Sequence, residues 1–275
     1  MEDSTIEEFI NQSILDTIKT DYLDSQEELH LELNKILKEF NDNNFLEKVY
    51  ALKYRIKDTE HLIAKIKRKY KENYKKYRDI SKENYKSIIT DLIGIRIIIL
   101  GKEDWSKVHD FLTARFKNEE RNYSAINNKT RCIIEKPVIH TTDGDDDYLY
   151  NKFKGTLEIK PSLQGYRSIH YVVKYEKHIC EIQVRTIFDE GWLEFDHEIK
   201  YPNDATNIVK GDFLLQMSRM AKISQDMISF YRKHSQIFEK KQEIKRFMLK
   251  RINDDKIEEL GNFEERVNQF INKEL

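Results

Sequence analysis

Apolar residues along the first part of the chain recur at helical spacing; in the middle they crowd together or alternate. Residues 1–80 contain neither Gly nor Pro. Leu29, Leu31, Leu33, Ile36, Leu37 and Phe40 fall mostly at the steps of an amphipathic helix. Leu62, Ile63, Ile66 and Tyr70 make a second stripe, and Arg55, Lys65 and Lys69 follow one flank of it at about 100° per residue. The whole region therefore reads as helical. Beyond it the pattern predicts strands over Leu92–Leu100, Cys132–Ile139, Gly155–Ile159, Ser168–Tyr175 and Ile179–Arg185. Tyr175-Glu176-Lys177-His178 is short enough to make a hairpin of the last two. Helices are predicted near Trp105–Phe116 and Ile187–Ile199 and again from Asp212 onward. There Phe213, Leu214, Met217, Met220, Ile223 and Met227 form a stripe suited to core packing or self-association.

At period two, Tyr166, Ser168 and His170 share one side of their segment, and Glu181, Gln183 and Arg185 share one side of theirs. The reverse of the second segment is Cys180, Ile182 and Val184. One face of carboxylate, amide and guanidinium lines either a polar site or solvent.

Composition narrows the classes. Hydrophobic residues are 39% and charged residues 35% of the 275, with a net charge of −1, so no global charge draws the chain to nucleic acid or membrane. The apolar run from Leu92 to Leu100 is interrupted by Arg96 and is too short to span a bilayer. The acidic start, Met1-Glu2-Asp3-Ser4, is unlike a signal peptide. Cys132 and Cys180 fit reduced, cytosolic chemistry. These features predict a cytoplasmic location and no membrane partner. The acidic run Asp143-Gly144-Asp145-Asp146-Asp147 lacks the glutamate that a calcium loop requires and reads as a solvated loop.

Four ordered motifs carry a resemblance. They are Arg55-Ile56-Lys57 with Lys65 downstream; Asp91-Leu92-Ile93-Gly94-Ile95-Arg96; Gly165-Tyr166-Arg167-Ser168-Ile169-His170-Tyr171; and Glu181-Ile182-Gln183-Val184-Arg185-Thr186 followed by Gly191-Trp192 through His197, then Lys200-Tyr201. Together, over roughly residues 45–205, they resemble the synthetase domain of the RelA/SpoT family. That resemblance implies an α+β, nucleotidyltransferase-like fold: a mixed sheet of about five strands, one per segment above, with flanking helices. It divides the chain into an N-terminal helical segment (1–44), a pyrophosphotransferase domain (45–205) and a C-terminal helical extension (206–275).

The activity so implied is transfer of pyrophosphate from ATP to the 3′-hydroxyl of GDP or GTP, making (p)ppGpp, with Mg2+ as cofactor. Asp91 and Glu181 are the implied catalytic pair and metal ligands, hard oxygen donors for a hard cation. Asp91 alternatively forms a salt bridge to a nearby Lys or Arg, and Glu181 alternatively pairs with Arg185 or Arg167. Arg55, Lys57, Lys65, Arg96 and Arg185 are implied on the ATP side. Arg96 either orders Asp91 or another acid, or reaches phosphate. Arg185 can stack on adenine. Lys160, Gln164, Tyr166, His170 and Gln183 are implied on the acceptor side, with Tyr166 stacking on the base. His170 is equally suited to a hydrogen-bonded structural role. The family's short Lys-Pro-Asn-Gly-Tyr is here Lys160-Pro161-Ser162-Leu163-Gln164-Gly165-Tyr166, longer by two, with Gln164 in place of Asn.

Two other functions compete. One is a toxin of a toxin–antitoxin pair that pyrophosphorylates the 3′ end of tRNA, its RNA held along Lys65–Lys71, Lys75, Lys76 and Arg78 with Tyr70, Tyr74 and Tyr77 interleaved. The other is a catalytically inactive nucleotide-binding regulatory protein, against which the intact Asp91 and Glu181 argue. An antitoxin and a homo-oligomer through the terminal helices are the protein partners to expect. His109-Asp110 is a lone dipeptide inside a predicted helix and does not point to alarmone hydrolysis.

Overall fold

The computed structural model describes residues 10–116, 131–142, 144–145, 153, 155–162, 164–200 and 208–254. Tyr201 and much of the acidic run lie outside them. The chain divides into two compact units, Met1–Lys222 and Ile223–Leu275.

The first unit is α+β. Its described helices are α1 (Gln12–Asp24), α2 (Gln26–Glu39), α3 (Asn43–Leu46), α4 (Thr59–Glu72), α5 (Tyr74–Tyr77), α6 (Tyr85–Ile88), α7 (Trp105–Arg115), α8 (Ile187–Lys200) and the start of α9 (Ile208–Asp254). Its strands are β1 (Ala51–Ile56), β2 (Ile93–Ile99), β3 (Arg131–Ile133), β4 (Val138–Thr141), β5 (Glu158–Pro161), β6 (Ser168–Tyr175) and β7 (His178–Thr186). They form one seven-stranded sheet in the order β1-β2-β7-β6-β4-β5, with β3 pairing β6 beyond that path. The sheet is mixed: β2 runs parallel to β7 and β4 to β5, and the other pairs are antiparallel.

Two expectations are corrected here. The sheet has seven strands rather than about five. One extra strand is β1, in the region read as wholly helical; Arg55 therefore stands on a strand and not on the flank of α4. The other comes from Cys132–Ile139, which is β3 and β4 with Pro137 between them. Proline has no N–H to give a ladder, so the strand breaks there. The third predicted strand lies a few residues later, at Glu158–Pro161. The hairpin forms as expected: Tyr175 faces His178, and Glu176 takes φ 48° in the turn.

Cross-strand register sorts the side chains onto two faces. One row is Tyr54, Ile95, Ile182 and Tyr171; the next is Leu52, Ile97, Val184 and Ile169. Apart from the edge residues Tyr54 and Leu52, these are buried and join Leu15, Ile18, Leu33, Leu62, Ile66 and Trp105 from the helices in the main core. On the other face, Arg55, Gly94 and Glu181 make one row, and Lys53, Arg96, Gln183 and His170 the next. The polar side chains of these rows thus share one face because the apolar ones occupy the other.

In the second unit the described residues are helical, the rest of α9. Ile223, Met227, Phe230, Tyr231 and Phe238 are exposed along it and border an apolar groove. No described helix is long and apolar enough to cross a membrane.

Candidate active site

Lys53, Tyr54, Arg55, Asp91, Gly94, Ile95, Arg96, Glu181 and Gln183 line a cleft of about 180 Å³ over the polar face of β1, β2 and β7. Gly94 makes the room. It sits between Arg55 and Glu181 in register, and a Cβ placed there would come no nearer than 3.7 Å to Arg55. Any longer side chain would project into the space between them.

Asp91 sits just before β2, at one end of the cleft. Its Oδ2 accepts from Lys57 Nζ at 2.8 Å and lies 2.9 Å from Lys65 Nζ. The turn that presents Lys57 is fixed by backbone bonds: Lys57 N–H donates to Leu92 O at 2.9 Å, and the buried Tyr22 hydroxyl donates to Lys57 O at 2.6 Å. Lys65 is carried two turns into α4, whose start is capped by Asp58 accepting from the His61 N–H. Burial works to raise the Asp91 pKa, but Lys65 and Lys57 outweigh it and hold the carboxyl below its usual range. Burial also pulls Lys57 down, against the pull of Asp91. Asp91 Oδ1 is buried and has no hydrogen-bond partner.

Glu181 reaches the same cleft from β7. Burial works to raise it, yet His170 above all holds it ionised, with Lys65 adding to that and Asp91 opposing. His170 Nδ1 is 3.4 Å from Glu181 Oε1, and Gln183 Nε2 donates to Oε2 in a short contact.

The predicted cations divide. Lys57 and Lys65 hold Asp91. Arg96 pairs with another acid, donating from Nη1 to Glu190 Oε1 at 3.0 Å and lying 3.4 Å from Glu194. Lys53 reaches the same Glu190 oxygen at 2.8 Å. The Arg185 side chain is 2% exposed, and its guanidinium meets Tyr166, Gln183, Ser168 and Glu190. It faces the Tyr166 ring at 5.0 Å rather than an open surface where adenine would stack. Arg55 is exposed and has no ion-pair partner among the described residues, so its guanidinium is the one free to meet an anion.

Of the residues expected on the acceptor side, Gln183 lines the cleft; His170 stands behind Glu181 and Tyr166 behind His170, and Lys160 and Gln164 do not line it. Lys160 stands on the edge strand β5, half exposed and 3.3 Å from Glu158; Gln164 is exposed in the loop before Gly165. That loop is fixed by a close approach. Gly165 has φ +84° and a Cβ there would fall 2.6 Å from Ser218 Cβ, so only glycine fits. Arg167 completes the lock, pairing with Asp145 at 2.8 Å, with Ser218 Oγ at 2.6 Å, and with the Thr142 hydroxyl.

Lys53, Gly94, Glu190 and His140 belong to the site without having been singled out from the sequence. His140 packs against His170 and Tyr166, with ring centroids 4.9 and 5.3 Å away. Glu190 follows a capping pair, Thr186 and Asp189, that starts α8 directly from β7. A Thr-x-x-Asp spacing is a local signal of a helix start, but nothing local points to Glu190 as the partner of β1 and β2.

Two oxygen-donor carboxylates, one with a buried oxygen lacking a partner, suit Mg2+, which takes one or two carboxylates and completes its shell with phosphate and water. No group of three or more His, Cys, Asp or Glu suited to a metal occurs among the described residues, so no all-protein cage surrounds the cleft.

A solved structure shares the fold. The small alarmone synthetase 1 of Bacillus subtilis, in a crystal bound to its product pppGpp, is 21% identical, with 78% of this chain and 94% of that one aligned at a TM-score of 0.50. A GTP pyrophosphokinase family protein of Streptococcus pneumoniae is 20% identical over 82% of this chain and 94% of its own, at a TM-score of 0.49. No curated protein matches the chain. The family model for the region found in RelA/SpoT proteins matches residues 54–206, the stretch that contains every cleft residue but Lys53. The chain belongs to the RelA/SpoT family.

Proposed function

We propose that the chain transfers pyrophosphate from ATP to the 3′-hydroxyl of GDP or GTP. The observation that carries this is the convergence of Asp91, just before β2, and Glu181, on β7, on one cleft beside the uncommitted Arg55. The Bacillus subtilis enzyme with this fold holds pppGpp as its product. Pyrophosphate transfer needs the triphosphate's charge neutralised and the attacking hydroxyl positioned. Arg55 meets the triphosphate at the cleft, and Lys57 and Lys65 set the charge around Asp91. Asp91 and Glu181 would hold Mg2+, which supplies charge neutralisation on the transferred groups. Glu181, held ionised, accepts the proton of the attacking hydroxyl through a lone pair its protein partners leave open. Tyr166 presents its ring to the acceptor base. Such substrates place the protein in the cytoplasm.

A second acceptor, the 3′ end of tRNA, has one observation in its favour. Lys67, Arg68, Lys71, Lys75, Lys76 and Arg78 are all exposed along α4, α5 and the residue after, on a surface suited to a nucleic-acid backbone. Incubation with γ-labelled ATP and, separately, GDP, GTP, ATP or deacylated tRNA decides among them. Label on a guanosine nucleotide supports the first proposal, label on tRNA the second. No labelled acceptor at all would return the chain to a binding role.

A further inference from the structure

Arg185 donates from Nη2 to the Tyr166 hydroxyl at 2.6 Å and to Gln183 Oε1 at 2.7 Å. A guanidinium has only donors, so each contact fixes the direction of the next bond. The Tyr166 oxygen accepts from Arg185, which leaves its own proton to give to His170 Nε2, 2.8 Å away. A neutral His170 then carries its proton on Nδ1, which faces Glu181 Oε1 at 3.4 Å. Along the second route, Gln183 accepts at Oε1, so its Nε2 donates to Glu181 Oε2. Reversing the Gln183 amide would set donor against donor at Arg185 and oxygen against oxygen at Glu181. From one buried guanidinium, two arms thus end on the two oxygens of one carboxylate, one through the short Gln183 contact and one through the 3.4 Å approach of His170 Nδ1.

We infer that Arg185, Tyr166, His170 and Gln183 are positioning residues that orient Glu181 through this closed ring, so that Arg185 acts on the reaction without touching ATP. The tyrosine hydroxyl has this duty whether or not its ring also meets the acceptor base. The role in catalysis rests on the pyrophosphotransfer proposed above; the ring of hydrogen bonds does not.

Two measurements test it. The first is imidazole 15N NMR at pH 8, with His170 assigned by its loss in His170→Asn. The Nδ1–H tautomer is expected; an Nε2–H tautomer overturns the ring whatever the activity. The second is kcat and acceptor KM for label transfer from ATP to GDP, or to tRNA if that is the acceptor. Tyr166→Phe keeps the aromatic ring and should lower kcat roughly tenfold with acceptor KM near wild type. His170→Ala should lose as much, and His170→Asn, whose amide can stand in for Nδ1–H, should recover most of it. The Tyr166→Phe/His170→Ala double variant should lose no more than either single change, because both cut one arm. Combining Tyr166→Phe with Gln183→Met should multiply the losses, because these cut two. An unchanged kcat in Tyr166→Phe, or an effect on acceptor KM alone, overturns the positioning role. A wild-type chain that labels no acceptor removes the pyrophosphotransfer proposal and the catalytic role with it, and the tautomer still decides the ring.

Discussion

Lys57 Nζ donates to Asp91 Oδ2 across 2.8 Å, joining the residue just after β1 to the turn that leads into β2. Both side chains are largely buried, 9% and 14% exposed. Asp91 is therefore committed to the fold as well as available to a cation. Asp91→Asn should lower pyrophosphate transfer roughly a thousandfold or more, through loss of an anionic oxygen. It should also cost about 3 kcal/mol of stability, since it leaves Lys57 buried without its counter-charge. Denaturant unfolding beside the rate assay separates the two effects. Full activity in a stable variant would remove Asp91 from the mechanism.

Glu181→Gln should lose transfer by a similar factor, roughly a thousandfold, because the amide cannot accept the hydroxyl proton. No buried lysine is orphaned by this change, so its melting temperature should stay closer to wild type than that of Asp91→Asn. Thermal unfolding of the two variants side by side checks the ordering.

The contrast shows what the sequence made legible. The alternation in Glu181-Ile182-Gln183-Val184-Arg185 is a local property and told the polar face from the apolar one directly. The turn Tyr175–His178 is likewise local. β1 was not legible, because Ala51-Leu52-Lys53-Tyr54-Arg55-Ile56 follows a long helical stretch with no Gly or Pro between. It is a strand only because β2 offers it an edge. The partners of Arg96 and Arg185 were hidden for the same reason. Arg96 reads from the sequence as ordering an acid or reaching phosphate and Arg185 as stacking, but Glu190 comes to Arg96 from a helix that starts far along the chain.

His140 gives a pH signature. Burial first, then His170 and Lys160, push its pKa down from 6.5 to about 4. The folded value lies below the unfolded one, so the unfolded chain takes up this proton first. The contribution is complete above about pH 6.5 and is lost as pH falls from there toward 4. His140→Gln should flatten the stability–pH curve in that window by about 2–3 kcal/mol at its acid end. Urea unfolding at pH 7.5 and 4.5 measures it. Parallel curves for variant and wild type would show that His140 is not buried neutral.

Gly165→Ala should destabilise the protein by about 2 kcal/mol or more, because the new methyl meets Ser218 and the backbone holds φ +84°. Adding Ser218→Gly should relieve the contact but not the backbone strain. Thermal unfolding should therefore show partial recovery, and full recovery would mean that the conformation itself carries no cost.

Neutralising Lys67, Arg68 and Lys71 together separates the acceptors. With GDP the triple change to Gln should leave transfer within about twofold of wild type, since all three point to solvent away from the cleft lining. With tRNA it should cut activity steeply and flatten its salt dependence, because each lost phosphate contact releases fewer counterions. We expect the GDP outcome.

The parallel pairing of β2 with β7 has a consequence for how the protein comes into being. Gly94 and Glu181 are neighbours in the sheet, yet α7 and four strands are made between them. While a ribosome is still building that stretch, the isoleucines of β2 have only β1 beside them, and the cleft has one wall. Glu181 arrives with β7, and Glu190 comes just after it. No chain that stops short of β7 can therefore hold the two carboxylates together, and the site comes into existence only once synthesis has reached α8.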